Sequence, residues 1–242
     1  MATQSTTQLA FVAGATGYVG RQVVRELTER GVRTVAHVRP DSPRLADWRM
    51  RFGRMGAEMD ATPWEEGAMK ATLARLMPTQ LFALLGTTRA RGRAAASRRK
   101  PVESYESVDY ALTSLLLGAA VAAGSDPRFV YLSSAGVNGR TGNRYLTARW
   151  KLEQELRGSG LPYTIARPSF ITGPDRDENR LLERVGATVV DALLAGAAAF
   201  GMKGLRDRYG STNATVLARS LVRLAFDPAA TNRVMPAEAL RG

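Results

Sequence analysis

Residues 9–20 read LAFVAGATGYVG: an apolar run that enters a turn with glycine at positions 14, 17 and 20. Glycine permits the tight turn, lets a phosphate approach the backbone and lets a following helix pack closely on the strand. A helical pattern then runs from about Tyr18 to Arg30 and stops at Gly31. Its first N–H groups and positive dipole end would face whatever sits in the turn. A glycine triplet alone is weak, and a purely structural turn is the alternative. Placed in the first strand–helix connection, the triplet points to a bound dinucleotide.

Working outward, apolar strand-like runs recur at LAFVAG (9–14), TVAHV (34–38), LFALLG (81–86) and RFVYLSS (128–134). Weaker candidates lie at 57–60 and 163–167. Between the main runs stand helical patterns, including a long amphipathic stretch at 104–123 ended by Gly124. Near-continuous apolar strands separated by helices predict a parallel sheet covered on both faces. Right-handed crossovers give a doubly wound, Rossmann-type α/β fold with ligands at the carboxyl ends of the strands. No linker or internal repeat divides the 242 residues, so one domain is expected.

Composition narrows the chemistry. There is no cysteine and one histidine, His37. Thiol nucleophiles, disulfides, a Ser-His-Asp triad and the usual zinc sites are excluded. His37 lies inside a strand pattern and reads as a satisfied core or edge residue. No apolar run approaches the roughly 18–20 residues that span a bilayer, and the polar start MATQSTTQ carries no leader pattern. The expectation is a cytoplasmic protein without a membrane segment. The net charge of +12 raises the question of nucleic acid. The arginines are scattered, however, and the one cluster, RARGRAAASRRK (89–100), lacks aromatics for base stacking. That cluster reads as a solvated or phosphate-facing loop, not as a nucleic-acid interface. A monomer and a homodimer both stay open.

The end of the second strand bears on which dinucleotide binds. An NAD-type site places Asp or Glu about 20 residues after the glycines, against the ribose 2′-hydroxyl. Here the strand ends TVAHVRP, with Arg39 in that place and no acid before Asp41. A guanidinium there suits a 2′-phosphate, so the expected cofactor is NADP(H).

GATGYVG, Arg39, Asp60, LLGTTR, YLSSAG, Tyr145 and ARPSFITGP together resemble the atypical short-chain dehydrogenase/reductases. LLGTTR followed by VDY and LSS is similar to the NAD(P)H-binding group that includes the Tat-interacting tumour suppressor protein. The resemblance covers about residues 8–235 and is loose after 175. It implies that Gly14, Thr16, Gly17, Tyr18 and Val19 wrap the pyrophosphate and that Arg39 takes the 2′-phosphate. Asp60 and Ala61 would sit beside the adenine. Gly86, Thr87 and Thr88 would line the ribose side, and Pro168, Ser169 and Ile171 would contact the nicotinamide. The Ala- and Gly-rich segment 175–210 would form a small substrate cap with an apolar pocket.

The resemblance also implies a Ser-Tyr-Lys catalytic set with the last two spaced YxxxK. This chain departs from it: residues 145–151 read YLTARWK, so YxxxK has become YxxxR. Residues i and i+4 share a helix face, which brings Arg149 to Tyr145. Lys151 points about 120° away at about 3.6 residues per turn. Arg149 keeps a fixed positive charge that favours tyrosinate and can bond ribose hydroxyls, but it cannot relay a proton. The family's lysine-xxx-glutamate pattern implies that Arg149 also pairs with Glu153, and the plainer alternative is that Tyr145 and Arg149 are an ordinary surface helix pair. Of the two serines that end the fourth main strand run, only one can face the cofactor while the strand lasts. The family register favours Ser134, with Ser133 structural. Two function classes follow: an NADP(H)-dependent oxidoreductase using Tyr145, Ser134 and Arg149 on a carbonyl or alcohol of a small apolar substrate, or an NADP(H)-binding regulator without turnover.

Overall fold

The computed structural model describes residues 8–86, 110–140, 142–169, 171–172 and 212–241. Thr87, Thr88, the basic cluster 89–100, the beginning of the 104–123 stretch and the 175–210 segment lie outside the described residues.

The apolar run at the N-terminus forms β1 (Leu9–Ala13), buried along its whole length. Its side chains alternate between two cores: Ala10 and Val12 face one, Leu9, Phe11 and Ala13 the other. This burial on both faces is what a central parallel strand requires. The chain continues through α1 (Tyr18–Glu29), β2 (Arg33–His37), α2 (Leu45–Arg54), β3 (Glu58–Asp60), α3 (Glu66–Leu76) and β4 (Gln80–Ala83). Then come α4 (Thr113–Ala123), β5 (Arg128–Leu132), α5 (Arg144–Gly158) and β6 (Tyr163–Ala166). The short β7 (Ile171–Thr172) and β8 (Thr212–Asn213), α6 (Ala214–Phe226) and β9 (Arg233–Met235) complete the described strands and α-helices.

The main sheet has the order β3-β2-β1-β4-β5-β6-β9, with every neighbouring pair parallel. Val23, Val24, Trp48, Phe52 and Leu217 place α1, α2 and α6 on one face. Met69, Leu73, Leu116, Leu152 and Leu156 place α3, α4 and α5 on the other. The fold is therefore the expected doubly wound Rossmann-type α/β sheet. Strand bounds move by one to three residues: the second begins at Arg33, the run at 81–86 ends as a strand at Ala83, and Ser133 and Ser134 lie beyond the end of β5. The seventh strand and α6 were not foreseen, because the sequence resemblance thins after residue 175. Apolar burial drives their docking: α6 packs its Leu217 and Leu221 side against α1.

The chain leaves β1 for β2 and β3, then returns past β1 to β4. The crevice at that reversal, outside the carboxyl ends of β1 and β4, is where this class of sheet takes its ligands.

Candidate functional site

At the switch point the three glycines do different work. Gly14 has φ +85°, and a Cβ there would stand 2.6 Å from the Leu84 carbonyl oxygen, so the turn presses directly on the end of β4. A Cβ on Gly20 would lie 2.1 Å from the Gly14 carbonyl oxygen; glycine there permits the close packing of helix on strand. Gly17 is unlike both. Among the described residues its Cβ would meet only the Gly14 oxygen, at 3.1 Å, and nothing else within 4 Å. It caps α1 with φ −70° and ψ 167°, no side chain bonds the cap, and no acid occupies the first turn. The structure thus leaves backbone N–H groups and open space at a helix N-terminus, an arrangement that suits a pyrophosphate.

A cleft of about 270 Å³ opens over this turn. Gly14, Thr16, Gly17, Arg39 and Gly86 line it as the sequence suggested, together with His37, Val38, Ser42, Pro43, Arg44, Trp48, Trp64, Leu84, Leu85 and Leu112. Its lining among the described residues carries two arginines and no carboxylate. Val19 has its side chain in the core, so only its backbone can address a ligand. Tyr18 is half-buried against the same core.

His37 is buried, and its Nε2 donates to the Thr62 carbonyl at 2.8 Å; the acceptor requires the hydrogen on that nitrogen. Burial pushes its pKa below the ordinary value, against smaller raising effects of Thr62 and Asp60. The residue is satisfied, as expected, yet it also forms cleft wall, with Trp64 edge-on at 4.7 Å. Asp60 turns its carboxylate to its own loop, accepting from the Thr62 N–H at 3.0 Å and the Thr62 hydroxyl at 3.0 Å. Asp60 and Ala61 do not line the cleft, and His37 and Trp64 stand in front of that strand end instead.

Tyr145 sits in the first turn of α5, whose start is set by Asn143: its side-chain oxygen accepts from the Tyr145 N–H at 2.9 Å and the Leu146 N–H at 3.4 Å. Arg149 lies beside Tyr145, its Cζ 4.7 Å from the ring centroid, as the i,i+4 spacing predicts. Lys151 is turned to Tyr110, 5.8 Å from that ring, on the side of α4. The expected pairing of Arg149 with Glu153 is corrected. Glu153 is fully buried and is bound by Arg167 at 2.5 and 3.0 Å and by the Ser133 hydroxyl at 2.6 Å. Arg149, only 5% exposed, aims its guanidinium at the Leu132 carbonyl and, at 3.5 Å, the Tyr131 hydroxyl. Geometry gives the reason: β5 and β6 bring Ser133 and Arg167 to the carboxylate, while Arg149 reaches over the end of β5.

Ser134 is half-buried and donates to the Ala135 carbonyl at 3.2 Å. The Pro168 carbonyl accepts from the Ala135 N–H at 2.8 Å, joining the loops after β5 and β6. Ser169 accepts from Arg241 at 3.3 Å, and Ile171 enters β7 half-buried against the core. Sequence reading missed Ser42, Pro43, Arg44, Trp48 and Trp64 as cleft residues. The stretch RPDSPRLADW held a signal: a second arginine five residues after Arg39, with Trp48 one helical turn beyond it.

A parallel sheet with a glycine turn and, at its switch point, an open cleft whose described lining holds no carboxylate defines a Rossmann-type dinucleotide-binding protein of the atypical short-chain dehydrogenase/reductase kind. The chain belongs to the NAD(P)H-binding family, whose model matches residues 14–195. It is 29% identical over 203 residues to the protein TIC 62, chloroplastic, of Oryza sativa subsp. japonica, covering 77% of this chain and 40% of that relative's length. It is 30% identical over 165 residues to the protein FMP52, mitochondrial, of Debaryomyces hansenii, covering 68% of this chain and 67% of the relative. Among solved structures, the leucoanthocyanidin reductase–NADPH complex from Vitis vinifera matches with TM-score 0.61 and 16% identity, over 93% of this chain and 67% of that one. A UDP-glucose 4-epimerase from Thermotoga maritima matches with TM-score 0.62 and 18% identity, over 94% and 75%. Both show the fold. Among the described residues no helix is long and apolar enough to cross a membrane.

Proposed function

We propose that the chain is an NADP(H)-dependent oxidoreductase acting on a carbonyl or alcohol of a small apolar substrate. The observation that carries this reading is the cleft over the glycine turn, lined by Arg39 and Arg44 with no carboxylate among the described lining residues. An NAD-type site would set an acid against the ribose hydroxyl; two guanidinium groups favour a 2′-phosphate. NADP(H) bound there supplies hydride exchange. Gly17 leaves room for its pyrophosphate, and the first turn of α1 offers N–H donors. Tyr145 gives or takes the proton at the substrate oxygen, and the Ser134 hydroxyl orients that oxygen. Arg149 holds the phenol ring against its guanidinium and ties it to the end of β5. A cytoplasmic place for the chain belongs to the same proposal; two of its relatives are named for the chloroplast and the mitochondrion.

One observation favours a second reading, an NADP(H)-binding regulator without turnover. The guanidinium of Arg149 is buried and directed at the Leu132 carbonyl, so it does not stand free for the ribose. Calorimetry with NADPH and NADH, followed by NADPH oxidation across aldehydes, ketones and quinones, separates the two. Wild-type preference for NADPH and turnover that disappears in Tyr145→Phe support the enzyme. Tight NADPH binding with no turnover on any substrate supports the regulator. Tighter NADH than NADPH overturns the cofactor assignment.

A further inference from the structure

We infer that Arg44, held in place by Trp48, is the main determinant of the preference for a 2′-phosphorylated dinucleotide, ahead of Arg39. The inference deepens the NADP(H) reading and rests on it. Arg39 follows β2 directly, but its side chain is half exposed and its Nε lies 3.6 Å from Asp41 Oδ1. A phosphate approaching Arg39 therefore meets a charge already shared with a carboxylate two residues along. Arg44 is exposed as well, but its charge is held differently. Among the described residues no carboxylate pairs with it. Its Cζ lies 4.9 Å from the centroid of the Trp48 ring, a cation–π contact that restricts the side chain before any ligand arrives.

Trp48 is a firm support. It is 4% exposed, packs in the core between sheet and α2, and stacks on the fully buried Phe52 with centroids 5.5 Å apart. Arg51 also approaches the ring, at 5.4 Å, but does not line the cleft. Trp48 and Arg44 both do, next to Ser42 and Pro43. Arg44 also stands at the N-cap of α2, which no side chain caps, so the helix dipole adds to the positive field on the cleft side. A guanidinium pre-positioned on an aromatic ring loses less freedom on binding and offers a planar fork to the phosphate oxygens.

The test compares 2′,5′-ADP with 5′-ADP, and NADPH with NADH, by calorimetry on the full chain. Arg44→Ala should reduce the preference for the 2′-phosphorylated member of each pair by about tenfold or more, since a charge-assisted bond is at stake. Arg39→Ala should reduce it several-fold less. Arg44→Lys should recover part of the preference, retaining charge without the fork. Arg51→Ala should leave all four affinities as in the wild type, which separates a cleft contact from general positive charge. If the wild type prefers NADPH and Arg44→Ala keeps that preference while Arg39→Ala removes it, the inference is overturned and the NADP(H) reading stands. If the wild type shows no preference for the 2′-phosphate, the cofactor reading falls and this inference falls with it.

Discussion

The turn after β1 and the ends of β5 and β6 lie along the same edge of the sheet, but they are built in opposite ways. After β1 the structure leaves things open: among the described residues Gly17 has nothing but its own turn beside it, the α1 cap is bare of side-chain bonds, and the cleft lining carries two arginines. After β5 and β6 polar side chains bond to one another. Glu153 is buried under Ser133 and Arg167, and Arg149 reaches the Leu132 carbonyl. The first region is shaped for a ligand, the second is a braced frame on which Tyr145 is mounted. On the proposed reading, binding and chemistry therefore depend on different physics: backbone and empty space in one place, side-chain orientation in the other.

The sharpest way to break this comparison is inside the glycine turn. Gly20→Ala forces a Cβ to 2.1 Å from the Gly14 oxygen, which only a backbone shift can relieve. It should cost about 3 kcal/mol or more by urea denaturation and remove NADPH binding. Gly17→Ala should change stability by less than about 1 kcal/mol yet weaken NADPH at least about tenfold, because its methyl group enters the ligand's space. Equal losses of stability in both variants would show that Gly17 serves the protein and not a ligand.

The braced region is tested next. Tyr145→Phe should lower turnover by about 10² or more, the usual range for a lost general acid, with NADPH affinity within about twofold of wild type. Turnover that survives in this variant would discard the assignment. Glu153→Gln removes the counter-ion of Arg167. Losing one partner of a fully buried pair costs about 3–5 kcal/mol; Arg167 keeps some contact with water, so about 2 kcal/mol is expected in chemical denaturation. NADPH binding at the glycine turn should change far less than stability does.

The smallest expected effect is a pH dependence from His37. Above its ordinary value of 6.5 both the folded and the unfolded chain hold a neutral ring. Below that value the unfolded chain takes up a proton which the buried ring, with its lowered pKa, refuses. Stability is therefore complete above 6.5 and falls as the pH drops from there toward the folded value. His37→Asn should flatten the denaturation midpoint between pH 7.5 and 5.5, and an unchanged slope would contradict the assignment.

Much of the cleft lining over the glycine turn was legible in the sequence. Gly14, Thr16, Gly17, Arg39 and Gly86 came from spacing or family resemblance, and all five line the cleft. Arg44, Trp48 and Trp64 were not singled out, because a loop arginine or a tryptophan gains meaning only when the ends of β2 and β3 set it facing the turn. The same holds for Glu153. Helical spacing offered Arg149 as its partner at i−4, but two strands distant in sequence delivered Ser133 and Arg167 to it first.

The alternation of apolar runs and helical patterns was enough, by itself, to determine a doubly wound parallel sheet, and the glycine triplet placed its ligand turn. These features depend on periodicity, on the absence of a Cβ and on backbone dipoles, all of which are local. Tertiary structure alone decided that Arg149, set beside Tyr145 by helical spacing, would turn its guanidinium to the end of β5, and that Glu153 would join β5 to β6. It also decided that Arg44 would be held on Trp48 in the wall of the cleft. A long charged side chain has several rotamers and several candidate partners within reach, and only the packed elements around it select one.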